Sequence, residues 1–277
     1  MFEYPWQVNG AVTRVIEAGG DGLPVVLLHG VGARADRWRS NVERFAEAGL
    51  HVYALDFPGH GFASKGDEFD DYSIDGYATF VARFLDSIEA DRAVLIGTSL
   101  GGHVAARVTC RGPERVAALV MVGTLGVVPM GEEARAGLAD SLADTTEQGI
   151  RAKLERVIYD SSSVTDDWVL AESRINSSPG AKASFEALGA YFRNRIDQDL
   201  VIDGLRRLAH PPDMLLIWGR EDQIVPLVIG EQSRELLGER VALRTIASTG
   251  HAPYLEAPSQ FNEIVMSFLQ EASVFSK

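Results

Sequence analysis

A serine set between glycines is the first feature of this sequence that could do chemistry. Residues 97–101 read Gly-Thr-Ser-Leu-Gly, with an apolar run of the strand type, Ala93–Ile96, before them and a helical pattern after them. A G-x-S-x-G sequence between a strand and a helix is typical of a sharp turn that exposes a nucleophilic serine. We therefore predict that Ser99 is the nucleophile and that the Leu100 N–H, at a helix N-terminus, faces the oxyanion. A side chain at Gly97 or Gly101 would crowd the neighbouring backbone.

A serine hydroxyl becomes a useful nucleophile when a base removes its proton. His251 follows the predicted strand Val241–Ile246, and two acids, Glu221 and Asp222, follow the predicted strand Met214–Trp218. All three side chains are expected at the edge of the sheet where Ser99 lies. The chain order Ser, acid, His is that of one group of serine hydrolases. Five other histidines are expected in structural positions or at the opposite edge: His29, His51, His60, His103 and His210.

The elements that must position these residues read as a parallel sheet covered by helices. Short apolar runs alternate with helical patterns, which is typical of βαβ units. The predicted strands are Val12–Glu17, Val25–Leu28, Val52–Leu55, Ala93–Ile96, Leu119–Val122, Met214–Trp218 and Val241–Ile246. The predicted helices are Ile74–Glu89, Leu100–Cys110, Gly230–Leu237 and Pro258–Leu269.

The alternation stops between residues 127 and 208, where helical patterns continue without a strand. A helical insertion between two strands of one sheet indicates a cap. We expect a core formed by residues 1–126 and 209–277 and a helical cap formed by residues 127–208. Ligands in such sheets bind beyond the carboxyl ends of the strands, so the cap would cover the site.

Composition excludes several function classes. The formal charge of −13 over 277 residues disfavours binding to nucleic acid or to an anionic membrane. No apolar run approaches the roughly 18 to 20 residues that cross a bilayer, and the first ten residues do not resemble a signal peptide, so we expect a cytoplasmic protein. No histidine pair has zinc-ligand spacing, and neither a metal nor a cofactor is predicted. The expected partner is a small-molecule substrate, and the sequence leaves a homo-oligomer open.

These features together resemble the α/β-hydrolase superfamily over nearly the whole chain. Within it, the sequence is similar to the meta-cleavage-product hydrolases, which cleave a carbon–carbon bond in 2-hydroxy-6-oxo-dienoates. The resemblance implies that Asp222, not Glu221, is the triad acid, and that the Val31 N–H, after His29 and Gly30, is the second oxyanion donor. The sequence differs from the family pattern at Thr98, where asparagine is usual, and at Ala252, where tryptophan is usual.

Two motifs extend the resemblance to substrate binding. The stretch Asn41-Val42-x-x-Phe45-x-x-Ala48-Gly49 is similar to a family motif whose asparagine contacts the substrate. The stretch 159–166 is similar to a cap segment that leads to Arg174, which matches an arginine that holds the dienoate carboxylate or enol oxygen. The residues alone leave other readings open, because asparagine is also a good helix-start residue and Arg174 could be a solvated arginine of the cap.

Three functions are consistent with this sequence. The first is hydrolysis of a carbon–carbon bond in a dienoate through an acyl-Ser99 intermediate. The second is hydrolysis of an ester or lactone by the same Ser99, Asp222 and His251. The third is a ligand sensor that keeps the hydrolase fold with little turnover.

Overall fold

An eight-stranded sheet forms the centre of the computed structural model, which describes residues 1–239, 241–272 and 274. The strand order is β1-β2-β4-β3-β5-β6-β7-β8. Strand β2 runs antiparallel to both of its neighbours, and every other neighbouring pair is parallel. The strands are β1 (Phe2–Val8), β2 (Ala11–Ala18), β3 (Pro24–Leu28), β4 (His51–Leu55), β5 (Ala93–Thr98), β6 (Val116–Val122), β7 (Asp213–Gly219) and β8 (Val241–Ile246).

All seven predicted strands are present, so the predicted α/β-hydrolase architecture with a mostly parallel sheet is confirmed. The prediction missed β1, an edge strand whose side chains are mostly exposed or half-buried and which contains Pro5. The turn into β2 did carry a signal. Asn9 and Gly10 both have positive φ, 46° and 94°, as a two-residue hairpin turn requires.

The helices cover both faces of the sheet and also form the long insertion after β6. The predicted helices correspond to α2, α3, α9 and α11. The helices are α1 (Arg39–Glu47), α2 (Ile74–Ser87), α3 (Leu100–Arg111), α4 (Glu132–Ala143), α5 (Glu147–Val157), α6 (Asp166–Asn176), α7 (Ala181–Asn194), α8 (Ile202–Arg207), α9 (Leu227–Leu237), α10 (Pro253–Glu256) and α11 (Pro258–Glu271).

Helices α4 to α8 lie between β6 and β7, and that segment, all of which the structure describes, contains no strand. Helix α8, inside the predicted cap, packs against α3 and α9. The Cys110 thiol on α3 donates to the Val201 carbonyl at the start of α8, 3.7 Å away. The division into core and cap remains a prediction, and the packing of α8 places the end of the insertion on the core helices.

The central strands are buried on both faces, since every residue of β5 and β6 is buried. One apolar cluster fills the face covered by α2 and α3, and a second fills the face covered by α1 and α11. This burial fixes the strand ends from which the candidate catalytic residues project. No helix of the described residues is both long enough and apolar enough to cross a bilayer.

Candidate active site

The turn from β5 into α3 holds Ser99 in a backbone conformation that side chains rarely adopt. Its φ is 53° and its ψ is −115°, a conformation that costs of order 1–3 kcal/mol and persists only where the surroundings enforce it. The surroundings do so, because the Ser99 N–H donates to the Val122 carbonyl at 2.9 Å and its carbonyl accepts from the His103 N–H at 3.1 Å. Ser99 therefore stands between the strand and the helix, as predicted.

The two flanking glycines are required by space, as the sequence indicated. A Cβ at Gly97 would lie 2.1 Å from the Gly101 carbonyl oxygen, and a Cβ at Gly101 would lie 2.3 Å from the Leu28 carbonyl oxygen. Real Cβ atoms do not approach backbone that closely. The turn thus brings α3 against the end of β3 and fixes Ser99 beside the loop that follows β3.

His251 and Asp222 form a hydrogen-bonded pair at the neighbouring strand ends. The Nδ1 of His251 lies 2.7 Å from Asp222 Oδ2. An ionised carboxylate only accepts, so this contact favours the tautomer of the neutral imidazole with the proton on Nδ1 and with Nε2 as an acceptor. The other carboxylate oxygen accepts from the N–H groups of Ile224 and Val225 at 2.8 and 2.9 Å. Glu221 instead accepts from the Thr249 N–H at 3.1 Å, so Asp222 is the acid that contacts the histidine.

Ser99 and His251 line one cavity of about 730 Å³. No hydrogen bond joins their side chains in the described part of the chain, and in unliganded enzymes such bonds are often long. Helices α4 and α5 supply much of the opposite wall. The lining residues include Gly30, Val31, Thr98, Leu125, Met130, Glu132, Glu133, Leu138, Leu142, Lys153, Arg156, Val157, Val225, Ala252 and Tyr254.

The loop after β3 lies against Ser99. A Cβ on Gly30 would be 3.1 Å from Ser99 Cβ. His29 holds this loop: its Nε2 accepts from the Phe57 N–H at 2.9 Å, so its Nδ1–H donates to the Gly30 carbonyl at 2.7 Å. The Val31 N–H is on the other side of the same trans peptide, directed away from that carbonyl, and Val31 lines the cavity.

Leu100, the other predicted oxyanion donor, is the first residue of α3. The first N–H groups of a helix have no partner within the helix. The Leu100 N–H is therefore free of the helix ladder directly after the serine. Together with Val31 it has the placement expected of an oxyanion hole, and both assignments remain predictions.

The other buried histidines are unsuited to the role of base. Burial lowers the pKa of His29 and His60 to about 3 and that of His103 to about 4. Each imidazole contacts a backbone carbonyl. They are neutral structural groups, as the sequence indicated for His29.

Comparison with known proteins decides the family. The model of the alpha/beta hydrolase fold family matches residues 24–258. The chain belongs to the α/β-hydrolase family. It is 31% identical over 273 residues to a 2-hydroxymuconate semialdehyde hydrolase of Pseudomonas sp. (strain CF600), covering 96% of this chain and 93% of that one. The chain is a hydrolase, and its resemblance to meta-cleavage product hydrolases is confirmed.

Two solved structures show how widely the fold is used. A meta-cleavage product hydrolase from Pseudomonas fluorescens IP01 matches with a TM-score of 0.85 and 27% identity, over 98% of both chains. A bacterial membrane phospholipase A, described as a virulence factor, matches with a TM-score of 0.83 and 26% identity, over 98% of this chain and 86% of that one. The fold is therefore shared by a meta-cleavage product hydrolase and a phospholipase A.

The cavity of this α/β-hydrolase contains cationic side chains that no motif of the sequence indicated. Lys153 and Arg156 of α5 line it, as does Arg37 of the core. Burial lowers the pKa of Lys153 to about 8, partly offset by the negative charges of Asp144 and Glu172. The sequence did carry a signal for these cations: Lys153 and Arg156 are three residues apart, which places both on one face of a helix.

The two predicted substrate-binding residues do not line this cavity. The Asn41 side chain is fully buried in α1, where its Nδ2 donates to the Tyr254 carbonyl at 3.2 Å and to Asn262 Oδ1 at 2.8 Å. Arg174 is exposed on α6 and is absent from the cavity wall. The structure therefore does not bring either residue to this cavity, and both substrate-binding assignments stay predictions, because a motif fixes a position on a helix but not the direction in which the helix faces.

Proposed function

We propose that this α/β-hydrolase is a serine hydrolase that cleaves a carbon–carbon bond of a 2-hydroxy-6-oxo-dienoate-like acid. The observation that carries the proposal is that Lys153 and Arg156 of α5 bring two cations into the largely apolar cavity that Ser99 and His251 line. Two acidic side chains of α4, Glu132 and Glu133, also line this cavity. An apolar cavity with a few charged groups suits an elongated apolar acid. The 2-hydroxymuconate semialdehyde hydrolase at 31% identity supports this substrate class.

The proposed reaction uses the Ser99, Asp222 and His251 geometry in two stages. His251, held by Asp222, removes the Ser99 proton while Oγ attacks the ketone carbon, and the Val31 and Leu100 N–H groups bind the oxyanion. Before this attack, His251 moves the enol proton of the dienoate from oxygen to carbon. The carbon–carbon bond then breaks with its electron pair delocalised in the departing fragment as an enolate, which takes up the proton that His251 removed from Ser99. Water, activated by His251, then hydrolyses the acyl-Ser99 ester and releases the carboxylic acid.

Ester hydrolysis is the second candidate, since acyl-serine chemistry is common to both reactions. The similarity to a membrane phospholipase A favours it, as do the apolar residues that make up most of the cavity wall. The two candidates assign different roles to Lys153 and Arg156. These cations would bind the carboxylate of a dienoate, whereas a neutral ester offers them no charge to bind.

The test measures turnover of one yellow dienoate, by loss of its colour, and of one p-nitrophenyl ester on the purified protein and on Ser99→Ala. The proposal expects a higher kcat/KM for the dienoate and loss of both activities in the variant. Faster ester turnover would favour the second candidate. Tight dienoate binding with negligible turnover of either substrate would indicate a sensor.

A further inference from the structure

The carboxylate of Glu256, at the end of α10, accepts hydrogen bonds from both sides of the catalytic histidine. Its Oε1 accepts from the N–H of Gly250 at 2.9 Å and from the N–H of Ala252 at 3.2 Å. These are the residues immediately before and after His251. One half-buried carboxylate oxygen therefore holds the backbone on which the proposed base is carried.

The second oxygen of the same carboxylate reaches the long insertion. Oε2 of Glu256 accepts from the Tyr159 N–H at 2.7 Å, two residues after the end of α5. A second hydrogen bond joins the same two segments: the His251 N–H donates to the Val157 carbonyl at 2.7 Å. The approach is close: a Cβ at Gly250 would lie 2.5 Å from that carbonyl oxygen. Val157 also lines the cavity, together with Lys153 and Arg156 of the same helix.

We propose that Glu256 is a positioning residue that couples the α5 wall of the cavity to the orientation of His251. A ligand that contacts Lys153 or Arg156 acts on α5, whose end is joined to the His251 backbone through Glu256 and through the Val157 carbonyl. Displacement of α5 would therefore displace the backbone of His251, and with it the imidazole that Asp222 contacts. The inference rests on the proposed role of His251 as base, and it does not depend on which bond is cleaved.

The burial of Glu256 is consistent with a bound carboxylate of this kind. Burial, reinforced by the negative charge of Asp222, raises the pKa of Glu256, and the three N–H donors oppose the rise. N–H groups hydrogen-bond more strongly to an ionised carboxylate than to a neutral group. Glutamine at this position would keep one acceptor oxygen and turn an NH₂ group toward a backbone donor.

The test compares Glu256→Gln with Tyr159→Pro, which removes the N–H on the insertion side together with the exposed Tyr159 side chain. Tyr159→Ala, which keeps the N–H, controls for the loss of the side chain. Ile158 is extended (φ −102°, ψ 133°), as the residue before proline prefers. Turnover of a neutral p-nitrophenyl ester is expressed per active serine, counted by labelling with a fluorophosphonate. The matched control is Glu155→Gln, an exposed carboxylate of α5 that pairs with Arg151 at 3.8 Å.

Glu256→Gln is expected to lower kcat per labelled site about 10- to 100-fold while KM changes less than about threefold, as for a misplaced catalytic group. Tyr159→Pro should lower kcat in the same way by about 3- to 10-fold, and the double variant should lose less than the product of the two effects because both changes act through one carboxylate. Both controls should match the wild type.

Wild-type kcat in folded Glu256→Gln would overturn the proposal. Wild-type kcat in Tyr159→Pro, with loss in Glu256→Gln, would overturn the coupling to α5. Activity in Ser99→Ala would instead refute the proposed function, so the two failures are distinguishable.

Discussion

At the residue scale, the cavity places the positive charge differently from the family motif. Lys153 lines the cavity beside the proposed nucleophile, whereas Arg174 points to solvent. A charge-assisted hydrogen bond to a substrate carboxylate contributes about 1.5 to 3 kcal/mol. Lys153→Met should therefore lower kcat/KM for an acidic dienoate by about 10- to 150-fold and leave a neutral aryl ester almost unchanged.

Arg174→Ala is the control for this comparison, since it removes a cation that lies outside the cavity. Steady-state kinetics with both substrates on both variants gives the answer. Equal losses on both substrates in Lys153→Met would mean that the lysine supports the fold of α5. A dienoate-selective loss in Arg174→Ala would restore the role that the motif predicted.

The lowered pKa of Lys153 also predicts a pH dependence. A lysine with a pKa of about 8 is charged below that pH and neutral above it. Hence kcat/KM for the acidic substrate, which reports the free enzyme, should fall as the pH rises above about 8. A neutral ester should not show this limb, and neither should Lys153→Met. The same limb in all three experiments would assign it to another group.

How well the sequence predicted the positions of these side chains depended on whether a strand or a helix carries them. Ser99, Asp222 and His251 follow strands whose apolar runs are clear in the sequence, and parallel strand ends meet at one edge of the sheet. Asn41 and Arg174 lie on helices, where the direction of a side chain depends on how the helix packs. The cavity cations on α5 could not be recognised until the path of the insertion was known.

At the element scale, the junction of β5, α3 and β3 is the tightest part of the site. Gly101→Ala would place a methyl group 2.3 Å from the Leu28 carbonyl oxygen, and backbone would have to move. We expect a loss of about 1 to 3 kcal/mol of unfolding free energy, the usual cost of overpacking, with displacement of Ser99 and loss of activity.

Gly189→Ala provides the control for this substitution. Gly189 lies within α7, and its added Cβ would have no neighbour closer than 3.6 Å. Alanine is a better helix former than glycine by up to about 1 kcal/mol, so this variant should be at least as stable as the wild type. Urea unfolding measures both. Wild-type stability and activity in Gly101→Ala would show that the turn can relax.

The burial pattern of β1 explains why the sequence did not predict this strand. Strand β1 has one fully buried side chain, Val8, so an edge strand of this type lacks the continuous apolar run that identified its neighbours. Its pairing with β2 depends on the Asn9-Gly10 turn, a local signal that the apolar pattern alone does not weigh. The buried strands, in contrast, were predicted to within a few residues.

At the scale of the whole molecule, a buried ion cluster joins the insertion to the core. The Glu172 carboxylate of α6 contacts Arg34 and Arg37 of the core, each at 3.0 Å, and accepts from the Trp168 indole at 3.2 Å. Its side chain is only 3% exposed. The sequence could not reveal this cluster, because its members lie about 135 positions apart and belong to regions whose relative packing no local pattern encodes.

Breaking this cluster should be costly, because removal of the Glu172 charge leaves the largely buried Arg37 without its paired carboxylate and leaves Arg34 only its contact with Asp36. Glu172→Gln keeps the size of the side chain and is expected to lower the unfolding free energy by about 3 to 5 kcal/mol. The control is Glu186→Gln, whose pair with Lys182 is exposed (3.8 Å) and is worth at most about 1 kcal/mol. Urea unfolding monitored by tryptophan fluorescence measures both variants, since Trp168 contacts Glu172 directly.

If the ion cluster stabilises only the insertion, Glu172→Gln will show an early transition in which Trp168 changes environment while the sheet stays folded. A single transition shifted as little as that of the control would mean that apolar packing, and not these ion pairs, holds the insertion over Ser99.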